Sequence, residues 1–324
     1  MNIQNRKKVV IYGNCHMTSV GDVLSHVKGF TSAYELCEIL PIFQIDGAGY
    51  FENPVFSECD IFIHQSIRKN NRYGEEFSSE NVIKRLKNTC KVIAVPNLYH
   101  MPMCVFPQYM EKEELTRDSS GQTWFFRDQI VEDGFLKGEK LSQIKNDYLN
   151  INYYSRQEIQ EKWNAFIDKV KAREQEWDIK ISSFIKEEIH ESQLFFDPNH
   201  PTKKVIEYIV TNILDLLDVE YTLEDLANAM EKVLDMNTRE MPICASVSDY
   251  FGLEYDLKTV SMRSNGYRLL GKTLGLEEYI IQYESLLWRI DSVKGLLKIK
   301  SFLIYAGIMF IKAINRLKRC IVWE

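Results

Sequence analysis

The 324-residue sequence contains no CxxC pair, and none of its seven cysteines (Cys15, Cys37, Cys59, Cys90, Cys104, Cys244, Cys320) sits at zinc-ligand spacing with its histidines. An odd set of scattered thiols speaks against a disulfide framework and a sequence-encoded metal centre, and free thiols in a reducing cytosol are the better reading. Excess charge of one sign is also missing: 40 Lys and Arg face 46 Asp and Glu, for a net −6. Nothing in that balance calls for nucleic acid as a partner. Long hydrophobic runs are short in supply. The polar stretch Met1–Lys8 leads into an apolar run too brief for a secretory signal, so no export is expected. The run Phe302–Ile311 is too short to span a bilayer. Internal repeats and low-complexity tracts are absent. What the chain does have is 45% apolar side chains, enough for one large domain or two modest ones.

Lys8–Tyr12 is a β-branched run closed by Gly13-Asn14, and Met17, Val20, Val23, Leu24 and Val27 then recur at helical spacing. The pattern predicts strand, tight turn, helix. Strands are also expected over Leu36–Phe43, Asp60–His64 and Lys91–Val95, with Val82–Leu86 in a helical stretch. Such continuously apolar strands separated by helices predict an α/β fold, a parallel sheet covered by helices on both faces. From about residue 110 to 193 a helical insertion is expected. Ser155 and Glu158 form a capping box, and Ile159, Trp163, Phe166, Val170, Trp177, Ile181 and Phe184 follow as one stripe, serving as core packing or as a lid. Leu194–Phe196 reads as a last short strand, followed by Asp197-Pro-Asn-His200 and a helix that Pro201 would open. The catalytic domain is thus expected over 1–220 and a helical C-terminal region over 221–324. The basic, amphipathic stretch 289–319 could lie on an anionic membrane surface, dock on its own domain or meet a second subunit.

Cys15 falls where the first strand turns into the first helix, so unpaired helix N–H groups favour its thiolate. A lone cysteine is also commonly an inert core residue. The second motif adds weight, because Asp197 and His200 follow a late strand, and the carboxyl ends of parallel strands share one sheet edge. A nucleophile needs a base within reach and a group to orient that base; Cys15, His200 and Asp197 fit those roles in that order.

Gly13-Asn14-Cys15 and Asp197-x-x-His200 resemble the GDS and DxxH blocks of SGNH/GDSL hydrolases, with cysteine in the serine position. More closely, IYGNCH, DIFIHQSIR, KVIAVPNLYHMP and FFDPNHPTKKVIEYI are together similar to the WcbI family of polysaccharide biosynthesis enzymes, over roughly residues 8–217. The resemblance implies a flavodoxin/SGNH-like sheet, binding of coenzyme A or acetyl-coenzyme A as acyl donor, and O-acyl transfer, O-acetyl first, to a sugar of a capsular or other surface polysaccharide. The acceptor would be a nucleotide- or lipid-linked sugar or a polysaccharide. Where the family commonly has glutamine after GNC this chain carries His16, a second base, a substrate contact or a surface residue.

Acyl transfer also needs oxyanion donors. The turn Gly13-Asn14, with the backbone N–H of Cys15, is placed for this, and Gln65, Ser66 and Asn97 are the polar side chains expected at the same edge, Gln65 foremost. Phosphates of coenzyme A would need cations, for which Arg68, Lys69 and Arg72 after the third strand, and Lys203 and Lys204 after His200, are candidates. Tyr99 and His100 could line a slot for the pantetheine arm. No metal is expected. The rival readings are an SGNH-type esterase or thioesterase and a non-catalytic coenzyme A- or glycan-binding module. A cytoplasmic protein is expected, with contact to the inner membrane face through 289–319 and homo-oligomerisation left open.

Overall fold

In the first strand Val9 and Ile11 point to one side and Val10 and Tyr12 to the other, and all four are fully buried. A strand buried on both faces must be covered on both faces. The computed structural model, which describes residues 6–98, 108–109, 126–197, 200–234, 241–253, 259–262, 272–284 and 287, shows that arrangement. Strands β1 (Lys7–Gly13), β2 (Tyr34–Pro41), β3 (Ile61–Gln65) and β4 (Lys91–Val95) form a parallel sheet in the order β2-β1-β3-β4. Between them run α1 (Cys15–Leu24), α2 (Lys28–Ala33), α3 (Pro54–Glu58) and α4 (Ser79–Ile83). The order reverses between β1 and β3, which makes the carboxyl ends of those two strands the switch-point crevice of the sheet.

The strand alternation sorts side chains into two cores. Val9, Ile11, Ile61, Ile63, Ile93 and Val95 pack with Met17, Val20, Val23 and Leu24 of α1. Val10, Tyr12, Leu40 and Phe62 pack with Phe56 and Val82 on the opposite face. The first core is the larger. It continues into residues 130–283 and takes in α5 (Gln129–Lys137), α6 (Leu141–Leu149), α7 (Arg156–Arg173), α8 (Ser182–Glu188), α9 (Lys203–Leu216), α10 (Leu223–Lys232) and α11 (Ala245–Phe251). Short paired segments complete the chain: β5 (Gln108–Tyr109) with β6 (Phe126–Arg127), β7 (Phe195–Asp197) with β8 (His200–Pro201), and β9 (Thr259–Met262) with β10 (Lys272–Gly275).

The α/β class and the parallel sheet are as expected, and Ser155 caps α7 in a full capping box with Glu158. Three local expectations are corrected. The apolar stripe from Ile159 to Phe184 is not one helix: α7 ends at Arg173, a 3-10 turn follows over Glu174–Glu176, and the chain turns extended at Trp177 before α8. That extended stretch lies along the sheet edge, where Asp178 N–H donates to Ala94 O (2.8 Å) and Ala94 N–H to Asp178 Oδ2 (2.7 Å). Leu194–Phe196 does not add a strand to the main sheet, because Phe195–Asp197 pairs antiparallel with His200–Pro201. Pro201 belongs to that pair, and α9 starts only at Lys203 with Thr202 as its cap.

Candidate active site

The site begins with the end of β1. A Cβ on Gly13 would lie 2.4 Å from Met17 Cγ and 2.8 Å from Gln65 Oε1, so only glycine lets the strand turn so tightly beside its neighbour. Asn14 then caps α1: its Oδ1 accepts from His16 N–H at 2.9 Å, and its own N–H donates to Gln65 Oε1 at 2.9 Å. Cys15 is the first residue of α1, half-buried, and its backbone N–H has no partner among the described residues.

Gln65 ends β3 and is fully buried. Its Nε2 donates to Pro96 O (3.1 Å) and lies 3.3 Å from His16 Nδ1. With Oε1 fixed by a backbone N–H and Nε2 by a backbone carbonyl, the amide has one orientation. Nδ1 of His16 must therefore accept, and a neutral His16 carries its proton on Nε2. Beyond β4, Asn97 Oδ1 accepts from Asn14 Nδ2 at 3.4 Å, and Asn97 O accepts from Arg173 Nη1 at 2.8 Å. The carboxyl ends of β1, β3 and β4 are thus laced together by three amide side chains.

Asp197 and His200 reach this edge on the β7–β8 hairpin. Asp197 Oδ1 accepts the His200 backbone N–H (2.9 Å) and Oδ2 meets His200 Nδ1 (2.6 Å), with the Asp197 side chain only 3% exposed. That pairing leaves Nε2 as the ring nitrogen available to the Cys15 sulfur, which is near enough to act on the ring's charge. Thr202 anchors the hairpin through Thr202 N–H to Leu194 O (2.9 Å) and Oγ1 to Gln193 O (2.8 Å). The helix that follows, α9, packs on α1, so both halves of the cluster rest on one helix pair.

Electrostatics favour the charged ring. Burial opposes the imidazolium, but the hydrogen bond to Asp197 and the electrostatic pull of Asp197 and Cys15 outweigh it and raise the His200 pKa from 6.5 to about 10. His200 is therefore protonated at neutral pH. His64, in β3 next to Gln65, is the reverse: burial lowers its pKa, its Nδ1 is paired with Gln65 O at 3.0 Å, and its ring stacks on Phe62.

A family model described as polysaccharide biosynthesis enzyme WcbI matches residues 8–222. The chain belongs to the WcbI family. Among solved structures it is similar to WcbI described as the native protein without a disulfide bond between coenzyme A and one of its cysteines; the two share 20% identity, a TM-score of 0.69, and coverage of 88% of this chain and 91% of that one. At that identity the likeness speaks for the fold. No curated protein matches.

Relative to other residues singled out in this WcbI-family chain, the structure brings Gly13, Asn14, Cys15, His16, Gln65, Asn97, Asp197 and His200 to one edge of the sheet. His16 is 2% exposed, which excludes the surface role. Ser66 follows Gln65, half-buried and without a side-chain hydrogen bond among the described residues. Arg68 and Arg72 are exposed on the loop after β3, Arg72 donating to Tyr73 Oη at 2.5 Å. Lys69 is paired with Glu80 (3.0 Å) and Glu75 (4.0 Å), Lys204 with Glu188 (3.2 Å), and Lys203 Nζ donates to Met230 O at 2.9 Å. Tyr99, His100 and 289–319 lie outside the described residues. Arg173, which fixes the Asn97 backbone from the far end of α7, carries no motif, and sequence reading had no signal for it.

Proposed function

We propose that this chain is a coenzyme A-dependent O-acyltransferase, acting with an acetyl group on a sugar hydroxyl during assembly of a surface polysaccharide. The observation that carries the reading is the Asp197–His200 hydrogen bond with Cys15 beside the ring at the sheet's switch point, in a chain of a polysaccharide biosynthesis family. The WcbI neighbour, described in terms of coenzyme A and a cysteine, supports the choice of donor.

The protonation state of His200 favours one route over the other. An imidazolium cannot take a proton from a sugar hydroxyl, so direct transfer in one step is disfavoured. It can hold a Cys15 thiolate as an ion pair and then protonate the departing coenzyme A sulfur. The sequence runs as follows: the Cys15 sulfur attacks the thioester carbonyl, the carbon–sulfur bond to coenzyme A breaks, and His200 gives that sulfur its proton. Neutral His200 next takes the proton of the sugar hydroxyl as its oxygen attacks the acyl-cysteine. The Cys15 thiolate leaves, and the starting ion pair returns. Asp197 orients the ring throughout and stabilises its charge.

For the oxyanion, the Cys15 N–H and Asn97 Nδ2 are the donors without partners among the described residues. Gln65 has both amide hydrogens engaged, and its role in this scheme is to hold Asn14 and His16. Arg68, which has no ion pair among the described residues, and Arg72 would meet the phosphates of the donor.

The test is incubation of purified protein and of Cys15→Ser with acetyl-labelled coenzyme A, with and without saccharide acceptor. An acyl-enzyme mapped to residue 15 and acceptor-dependent transfer are expected. Acetate released at one rate with or without acceptor would replace the reading by a thioesterase, and no binding of acetyl-coenzyme A by calorimetry would replace it by a glycan-binding module.

A further inference from the structure

Two thiols sit together at the opposite end of the sheet from Cys15. Cys59 caps α3 immediately before β3, and Cys90 immediately precedes β4. Their sulfurs are 3.6 Å apart. The register explains the approach: β3 and β4 are paired neighbours with Ile61 opposite Lys91, and Lys91 N–H donates to Asp60 O at 2.8 Å. Chains about 4.8 Å apart put residues at such near-opposite positions within the Cα separation of about 4.4–6.8 Å that a disulfide requires. A small rotation of each side chain closes the remaining gap to the bonding distance of about 2.05 Å.

The surroundings make the pair asymmetric. Cys59 is fully buried, its sulfur 3.3 Å from Phe56 O, whereas Cys90 is half-buried and open to a small reagent. The Lys87 ammonium is held beside them by Asp60 Oδ1 (2.6 Å) and Glu58 O (3.1 Å). Its charge and the hydrogen bond from Cys59 favour the thiolate at Cys90, whose pKa is lowered, while Cys59 is raised.

We infer that Cys59 and Cys90 form a reversible disulfide when the protein meets a hydroperoxide, with Cys90 the attacking and Cys59 the resolving thiol. Cys90 sulfur attacks the terminal peroxide oxygen, the O–O bond breaks, and the alcohol or water leaves with one proton, giving a sulfenic acid. Cys59 sulfur then attacks the Cys90 sulfur, the S–O bond breaks, and water leaves with the Cys59 proton. Two thiols and one hydroperoxide become one disulfide, one alcohol or water, and one water. The bridge joins the amino ends of the two strands whose carboxyl ends carry Gln65 and Asn97, and it does not involve Cys15.

The test is treatment of the full chain with hydrogen peroxide, alkylation of remaining thiols, digestion without reductant, and mass mapping. A linked pair of peptides containing Cys59 and Cys90, lost on dithiothreitol and absent from Cys90→Ala, is the expected result. Recovery of Cys90 as an unlinked sulfinic acid, of both cysteines alkylated, or of either joined to another cysteine would overturn it. Fragmentation of the linked wild-type peptides between Cys37 and Cys59 decides the matter even if a substitution fails to fold, and Cys37→Ser should leave the linked pair in place.

Discussion

Replacing Asp197 by asparagine keeps the volume of a side chain that is 3% exposed but removes its charge. The carboxylate accepts two hydrogen bonds at once, from the His200 backbone N–H at 2.9 Å and from Nδ1 at 2.6 Å. An amide has one oxygen, so one of the two is lost or turned against an NH2 group. Raising the His200 pKa from 6.5 to about 10 corresponds to a preference of about 5 kcal/mol for the imidazolium, shared between Asp197 and Cys15 and an upper bound for a ring that is 24% exposed. If Asp197 supplies half or more, Asp197→Asn lowers the pKa by about 2, which is about 3 kcal/mol. The sign of the linked stability follows. A raised histidine stabilises the fold fully below pH 6.5 and loses that contribution as pH rises through about 10. Urea unfolding of the wild type should weaken across that window, and the slope should flatten in the variant. Ring nitrogen NMR titration reads the same quantity directly. A wild-type His200 titrating near 6.5, or an Asp197→Asn pKa equal to that of the wild type, would refute the reasoning.

Gly13→Ala forces a Cβ to within 2.4 Å of Met17 Cγ and 2.8 Å of Gln65 Oε1. Overpacking at this turn should cost about 2 kcal/mol in urea unfolding and slow alkylation of Cys15, and an unchanged midpoint would show that the turn relaxes freely. Asp128, fully buried, caps α5 and accepts from Tyr279 Oη at 2.7 Å and from Tyr148, yet burial still raises its pKa to about 6. The native state therefore holds that proton more tightly than the unfolded chain, and stability falls as pH rises from 3.8 through about 6. Asp128→Asn should remove a pH-dependent loss on the order of 3 kcal/mol, seen as wild-type and variant unfolding curves diverging across that window; parallel curves would contradict it.

Much of the site was legible because its parts are local. Gly13-Asn14-Cys15 needs only a strand end and an N-cap, and Asp197 with His200 needs only a three-residue spacing; both appear in the structure as their sequence spacing predicts. The same holds for Ser155 and Glu158, a cap whose two partners are three residues apart. What sequence could not give was decided by distant partners. Lys203 reads as a free cation beside His200, but the carbonyl of Met230 claims it, and Lys204 is claimed by Glu188. Gln65 reads as an oxyanion donor, yet its two N–H groups face Pro96 and His16. The stripe from Ile159 to Phe184 keeps an apolar rhythm through its break, because a strand-like edge and two helices all face one core.

The two halves of the Cys15 and His200 cluster lie far apart in sequence, so what holds them in register is the packing between them rather than either motif. Three ties do so from outside the parallel sheet: Arg173 to Asn97 O, Asp178 to Ala94, and Met241 N–H to Phe196 O at 2.8 Å. The first two come from the insertion and reach the end and the edge of β4. The third comes from beyond α10 and holds the hairpin that carries Asp197 and His200. Each hydrogen bond in these ties, two of them between Asp178 and Ala94, is worth about 1 kcal/mol to stability, but a shift of a few tenths of an ångström at that edge acts on a 2.6 Å bond between Asp197 and His200. The insertion and the C-terminal helices are therefore supports of the site as well as parts of the core, and their loss should register in the titration of His200 before it registers in the folding of the sheet.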